Sequence, residues 1–524
     1  MAHRLILAPR FFWPAYAACL AILLAALFAP SLGYAFVSDD YTFLTRASKG
    51  IGAILRYDPH FYHYIPVTML VFAGVRAAFG VQPAAFHIIG LLVHLLVALF
   101  VGALAWRLTQ NYVVIGIAGL LYVTSSLTYE IPLWATGLFI SVATLLYLAT
   151  LLAYIRLCDH PSLGRYAVYL AGFALTLLAH EQGVTLILTC GLYRLLVVER
   201  RPAGLRAWAR AGGWKPWLRD FAAPALFLLA FVAAKLMFTT VQPLVNASSL
   251  KQTFWYLRVA LLRLLIPNAT FDLAATIDDL GRPYWSLRLL LWLALLAGAG
   301  LLLWRGPRAW RFLLLWLLTH TAVMTYAVLM APRHYYLPLA PALILISALW
   351  VRLLERATPR GACRLLLRWP KLAGRLAAGV AVIAAIVVAG LGAAELLRIS
   401  AIWGNAAATA AHILEDTRAA RAGCPQCRSV YMVNLPDGLP TTGAEVAYIF
   451  RAGIVSALYL AGIAAPREVS LAYTPNATWT WDSRRNNTER LISLSALQEL
   501  ARRPDTLVMR YLPERGTVVR MTAP

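Results

Sequence analysis

Acidic residues are scarce in this chain of 524 residues: 23 Asp and Glu stand against 47 Lys and Arg, and charged residues of both signs make up only 13% of the sequence. A soluble domain carries roughly a quarter charged residues, so the shortfall excludes a chain that is mostly water-exposed. No soluble basic domain holds the formal net charge of +24, which argues against nucleic acid as a partner. Internal repeats are absent, and with them the usual sign of an inverted-repeat transporter. The first apolar run has no short hydrophobic region ending in a small-residue cleavage site, and more such runs follow it, so it is expected to be an uncleaved signal-anchor.

What fills the chain is hydrophobic sequence, 61% of all residues. Charge-free runs from Phe11 to Ser38, Pro83 to Trp106, Leu108 to Tyr129 and Ile131 to Ile155 each reach the ~20 residues a helix needs to cross the hydrocarbon core. Spans are expected near 14–34, 85–106, 111–128, 133–155, 166–180, 182–198, 221–241, 286–304, 311–330, 336–352 and 376–397, about eleven in all. The stretch from Tyr166 to Tyr193 is either one long span or two short ones meeting at His180-Glu181, and two keep both flanking basic clusters on one side.

Basic residues gather at Arg4 and Arg10, Arg107, Arg156 and Arg165, Arg200 to Arg219, Arg305 to Arg311 and Arg352 to Arg375. By the positive-inside rule these mark the cytoplasmic face, where they meet anionic lipid. An odd number of spans then leaves the region from Arg398 onward outside. The chain divides into a membrane domain, 1–397, and a soluble extracytoplasmic domain, 398–524. The membrane domain has outer loops at about 35–84 and 241–284. The first holds Asp39, Asp40, Asp58, His60, His63 and the apolar stretch Ile65 to Phe79. The second holds Lys251, Arg258, Arg263, Asp272, Asp278 and Asp279, and its Phe254 to Ile266 portion has the pattern of an amphipathic helix. In the soluble region, Val430 to Pro436 reads as a strand ending in a turn, and Leu507 to Tyr511 with Thr517 to Met521 as a terminal hairpin, giving a small mixed α/β domain.

Of the six cysteines, Cys19 and Cys190 fall in or near spans as small apolar fillers. Cys424-Pro425-Gln426-Cys427 lies in the outer domain, where an oxidising compartment favours a local disulfide; a zinc site needs two further ligands. His87 and His94 are seven residues apart on one helix face, a spacing better suited to interhelical hydrogen bonds than to a metal without a third ligand.

The best candidate for chemistry is the acidic pair in Phe36-Val37-Ser38-Asp39-Asp40-Tyr41, placed where the first span meets water. A carboxylate there can take the proton of a hydroxyl nucleophile; the bland alternative is an N-cap for the helix beginning near Tyr41. His180-Glu181 is an ionisable pair within apolar sequence, costly there unless functional or internally paired. Lys235 is expected to snorkel to the outer interface, with a phosphate group there as its other possible partner.

The first span, Ser38-Asp39-Asp40-Tyr41, Tyr64-Ile65-Pro66-Val67 and Phe86-His87-Ile88-Ile89-Gly90-Leu91-Leu92-Val93-His94 together resemble the GT-C superfamily of polytopic glycosyltransferases, in particular protein O-mannosyltransferases and lipid A aminoarabinose transferases. The resemblance covers roughly the first 200 residues. Arg333-His334-Tyr335-Tyr336-Leu337-Pro338 is similar to an Arg-Tyr element before a late span in that superfamily. His180 stands where a lysine is common, and His63-Tyr64 where some relatives carry a phosphate-binding lysine.

The resemblance implies an α-helical polytopic membrane protein of the bacterial inner membrane with its C-terminal domain in the periplasm. It implies inverting transfer of a sugar from a polyprenyl-phosphate donor to a glycan, lipid or protein acceptor on the outer face. Asp39 is then the general base, and Asp40 orients it, binds acceptor or holds a cation. Arg333 is the preferred phosphate ligand, because a guanidinium contacts two phosphate oxygens at once. His334, Tyr336, His63, Tyr64, His180 and Glu181 are the remaining candidates for substrate binding. A divalent cation is possible but not required by the sequence. The competing class is a membrane transporter or lipid flippase, whose polar groups would sit near the midplane rather than at the outer ends of the spans.

Overall fold

The computed structural model describes residues 9–57, 63–199, 213–238, 257, 260, 261, 263, 264, 285–327, 331–357, 370–441, 446–475 and 490–522. Asp58 and His60, most of the second outer loop with Lys251, Arg258, Asp272, Asp278 and Asp279, and much of the expected Phe254 to Ile266 helix lie outside these residues.

Each of the stretches expected to span is largely helical. In chain order the helices are α1 (Pro9–Phe28), α2 (Asp39–Ser48), α3 (Ile51–Leu55), α4 (Pro66–Phe79), α5 (Pro83–Thr109), α6 (Tyr112–Val123), α7 (Glu130–Leu133), α8 (Leu138–Asp159), α9 (Leu163–Ala179), α10 (Leu186–Tyr193), α11 (Trp214–Phe238), α12 (Trp285–Arg305), α13 (Arg308–Ala327), α14 (Tyr336–Ala357) and α15 (Pro370–Ala422). Among the described residues seven helical segments are long and apolar enough to cross a membrane, while Tyr112–Val123, Leu163–Ala179 and Leu293–Arg305 are shorter apolar helices. The chain is a multi-pass membrane protein.

Local chemistry sets the helix ends. Pro66 and Pro83 open α4 and α5, where the missing N–H costs nothing and the fixed φ already suits a helix. Asn111 caps α6 by accepting from Val113 N at 2.9 Å, which satisfies one of the orphan donors of the first turn. Gly119 allows α1 to approach closely, since a Cβ there would collide with the Tyr16 hydroxyl.

The stretch 166–193 is broken at the dipeptide the sequence singled out. His180 is extended, with φ −167° and ψ 149°, and a tight turn over Glu181–Thr185 follows before α10 begins. Thr150 on α8 meets Thr176, Tyr147 meets Thr185 and Thr189, and Tyr154 meets both Tyr169 and Tyr193. Moving along α8, the partners on α9 therefore run backwards while those on α10 run forwards. The two helices form a hairpin, and His180-Glu181 is its tip.

The long helix α15 runs unbroken past residue 397, where the sequence reading placed the domain boundary, and the sheet begins only at β1 (Ser429–Val433). With β2 (Gly438–Pro440), β3 (Val446–Tyr448), β4 (Val469–Tyr473), β5 (Arg490–Leu491), β6 (Thr506–Leu512) and β7 (Thr517–Arg520), the C-terminal region forms a small α/β unit. Its main sheet has the order β5-β4-β1-β6-β7, parallel except for the β6–β7 hairpin. Cys424 and Cys427 are joined by a disulfide at the start of this unit.

The β2–β3 ribbon seats this unit on the bundle. Tyr448, at the end of β3, packs against Trp134 and Trp403 with ring centroids 5.0 and 5.6 Å away, and Tyr129 lies 6.3 Å from Trp403. Arg398 on α15 pairs with Glu395 and donates to the Thr441 carbonyl. Truncating a buried aromatic of this kind typically costs about 3–5 kcal/mol, so the ribbon is a firm contact. It carries Tyr448 to the rim of the bundle.

Candidate functional site

The two neighbouring aspartates meet different fates. Both lie in the first turn of α2, where the helix dipole favours negative charge, but successive residues point about 100° apart. Asp40 turns inward and is 1% exposed. Its Oδ2 accepts from Val37 N at 3.0 Å, and its Oδ1 accepts from Thr136 N at 2.7 Å and Thr136 Oγ1 at 2.5 Å. Burial pushes its carboxyl up to about 7 against these hydrogen bonds. Asp40 thus pins the start of α2 to the turn Ala135–Gly137. The sequence also entertained Asp40 as a ligand for acceptor or cation, but both of its oxygens are already engaged.

Asp39 is partly buried, and its carboxylate makes no hydrogen bond or ion pair among the described residues. Burial raises its carboxyl above the usual range, opposed by the positive charges of Arg333, Arg451 and His63. An unengaged carboxylate facing cations is equipped to accept a proton. Asp40→Ala separates the two roles: it strips acceptors from three donors, and at about 1–3 kcal/mol for an orphaned buried group the melting temperature should fall by several degrees. Thermal unfolding in detergent checks this, and an unchanged transition would contradict the anchoring role.

Ser38, just before Asp39, has φ 46° and ψ −120°, an arrangement that costs a non-glycine residue on the order of 1–3 kcal/mol and persists only when neighbours over-determine it. The C-terminal unit supplies those neighbours. Ser38 N donates to the Ile449 carbonyl at 2.8 Å, and Ala452 N donates to Ser38 Oγ at 3.2 Å. Gly453 has φ 82° and lies so close that a Cβ would collide with the Ser38 carbonyl.

Two ionic clusters flank Asp39. In the first, Arg333 donates to Glu130 Oε2 from Nη1 at 3.0 Å and from its backbone N at 3.2 Å, and also to the Tyr448 hydroxyl at 3.1 Å. Tyr448 in turn donates to Glu130 Oε1 at 2.8 Å. Burial raises the Tyr448 phenol, helped by the Glu130 charge. Arg333 is therefore held rather than free, with a fully buried glutamate balancing its charge. The preferred phosphate ligand of the sequence reading is an ion-paired residue at the cleft, with 21% of its side chain exposed.

In the second cluster, Glu181 accepts from Lys235 Nζ at 2.6 Å and faces His63 Nδ1 at 3.1 Å and His180 Nε2 at 3.7 Å. Lys235 thus reaches inward to an acid at the hairpin tip. The ligand atoms of His63, His180 and Glu181 lie within 4.8 Å of one another, a spacing suited to one cation. Lys235 already engages Glu181 Oε1, so a divalent cation would compete with an ammonium.

The remaining candidates scatter. His334 accepts from Ala331 N at 2.9 Å through Nδ1 and caps its own turn. The Tyr336 hydroxyl is bonded to His94 Nδ1 at 2.6 Å inside the core, because Tyr336 opens α14 facing α5; it does not line the cleft as expected. That contact is the interhelical bond foreseen for His94, whereas His87 is buried beside the Tyr34 ring. Tyr64 donates to the Leu55 carbonyl at 3.0 Å, near the rim.

Glu130, Tyr448, Arg451 and Ser38 were not singled out from the sequence. Glu130 left one trace: it is the single acid between the apolar runs ending at Tyr129 and beginning at Ile131. The others left none, since their roles depend on a fold that joins positions more than 300 residues apart.

No protein-family model matches the chain, and no curated protein does either. Among solved structures, the chain is similar to ArnT from Cupriavidus metallidurans bound to undecaprenyl phosphate, with 12% identity and a TM-score of 0.49 over 97% of this chain and 94% of that one. It is also similar to ArnT from the same organism in the apo state, with 13% identity and a TM-score of 0.45 over the same shares.

Proposed function

We propose that this chain is an inverting glycosyltransferase that moves a sugar from a polyprenyl-phosphate donor to an acceptor hydroxyl at the extracytoplasmic face of a bacterial inner membrane. The observation that carries the reading is Asp39, an unengaged carboxylate at the end of a membrane bundle, within the field of Arg333, Arg451 and His63. The acceptor oxygen forms a bond to the anomeric carbon from the face opposite the carrier. The bond from that carbon to the phosphate oxygen breaks, the phosphate leaves with the electron pair, and Asp39 takes the acceptor proton. Arg333, with Lys235 at the end of α11, would face the charge developing on the phosphate, and their ion pairs with Glu130 and Glu181 hold them in place so that little reorganisation accompanies the step.

The distribution of charge supports the orientation. Arg107, Arg156, Arg165, Arg194, Arg305 and Arg311 lie at the bundle end opposite Asp39, where Arg107 pairs with Asp159 and Arg194 with Asp220. By the positive-inside rule that end is cytoplasmic, so the C-terminal unit would be periplasmic. On the Asp39 side, the ion pairs Arg333–Glu130 and Lys235–Glu181 stand at the end of the bundle rather than at its middle, which favours an interfacial enzyme over a transporter or flippase.

The base must be ionised to work, and burial holds Asp39 above the usual carboxylate range. The rate should therefore rise with pH through an acidic limb whose midpoint lies above 3.8. Measuring kcat/KM against pH for the purified protein in nanodiscs tests this, with the donor supplied as polyprenyl-phosphate-linked sugar extracted from bacterial membranes. A flat profile down to pH 4, or no turnover at any pH, contradicts the reading.

A further inference from the structure

Asp39 is held in place without the use of its own carboxylate. On the bundle side, Asp40 ties the first turn of α2 to Thr136 and Val37. On the other side, the segment just beyond β3 takes hold of Ser38: Ser38 N donates to the Ile449 carbonyl, and Ala452 N donates to Ser38 Oγ. Phe450 sets its ring 6.1 Å from that of Tyr41. Gly453, at φ 82°, a value that suits glycine, lies against the Ser38 carbonyl with no room for a β-carbon. That carbonyl accepts from Tyr41 N at 3.4 Å within the same turn. A serine in the N-cap position ordinarily takes an extended backbone and turns its hydroxyl to the N–H groups of the helix. Ser38 does neither: its φ is 46°, its side chain caps nothing, and its hydroxyl is given to the C-terminal unit. A strained backbone kept at the expense of a cap, one residue before an unengaged carboxylate, points to a role in the site.

We propose that Ser38 and Gly453 are positioning residues, through which the C-terminal unit aims the Asp39 carboxylate at the acceptor hydroxyl. This rests on reading Asp39 as the base of a transferase. Hydrogen bonds to the carboxylate would aim it too, but they stabilise the charged form and so weaken the base. Fixing the backbone on both sides sets the direction of the side chain and leaves its oxygens for the incoming proton.

The test is the single-turnover rate of the full chain in nanodiscs, at saturating polyprenyl-phosphate-linked sugar and glycolipid acceptor extracted from bacterial membranes. Gly453→Ala pushes Ser38 from its place and should slow transfer about tenfold to a hundredfold, since a misplacement of ~1 Å can cost about 10²-fold. Donor binding should stay at the wild-type level. In an Asp39→Asn background the same substitution should cost less than about twofold, because the carboxylate that it displaces is already gone. Equal losses in the two backgrounds overturn the proposal, and so does a wild-type rate in Gly453→Ala; either leaves Asp39 as the base. A wild type that does not turn over overturns both readings. Should Gly453→Ala unfold early, Ser38→Gly decides the matter. Glycine tolerates the backbone angles at 38, so the melting temperature should hold or rise, while loss of the hydroxyl and a freer backbone release Asp39 and slow transfer about tenfold. A stable Ser38→Gly with the wild-type rate overturns the proposal.

Discussion

Asp39→Asn is expected to insert, fold and bind the lipid-linked donor like the wild type, yet lose about 10²–10⁴-fold in turnover, the range for removing a general base. The substitution keeps the shape of the side chain and removes its ability to take a proton. Nothing in the fold opposes it, because the Asp39 carboxylate holds no hydrogen bond or ion pair among the described residues. An asparagine at 39 also escapes the cost of burying a charge, so stability should be equal or slightly higher. Side-by-side single-turnover rates and melting curves check both halves. The neighbouring Asp40 has the opposite signature, stability first, and the contrast distinguishes a proton acceptor from an acid that merely anchors α2.

Arg333→Ala is expected to do more structural damage than its position at the cleft suggests. Glu130 is fully buried and receives two donors from Arg333, one from the side chain and one from the backbone. Removing one partner of a buried ion pair strands the other charge and typically costs about 3–5 kcal/mol. Arg333→Ala should therefore lower the melting temperature as well as weaken use of the donor. Arg333→Lys retains the charge without the fork and should restore most of the stability but only part of the donor affinity. In the double variant Arg333→Ala/Glu130→Gln the stranded carboxylate is gone. Stability should return towards wild type while donor binding stays weak. A double variant that regains full donor binding would mean that Arg333 matters only for the fold.

The helices were legible because each is a long apolar run, and at this composition the bilayer requirement overrides any finer propensity. The break at His180-Glu181 was legible for the same reason in reverse, since two polar residues in apolar sequence have to lie at an end or find partners. Asp39 stood out by its placement after the first span. What the sequence could not convey was the difference between Asp39 and Asp40, which comes from helix rotation and the position of Thr136. Nor could it reveal that Arg333 is balanced by Glu130, an acid 203 positions away. Tyr336 misled because it sits in a motif of polar residues, whereas its place at the start of α14 turns it to His94 and the core. The role of the 448–453 segment was invisible for a simpler reason: no local pattern announces that the chain beyond β3 returns to clamp Ser38.

The most direct measurement of the central claim is the release of polyprenyl phosphate by the purified wild-type protein, followed together with the anomeric configuration of the glycosylated acceptor. The protein is reconstituted in nanodiscs with polyprenyl-phosphate-linked sugars and envelope glycolipid extracted from bacterial membranes. The account predicts one carrier phosphate released for each acceptor glycosylated, an inverted anomeric centre, and loss of both products in Asp39→Asn. No release by the wild type, retained configuration, or equal release by Asp39→Asn would contradict it.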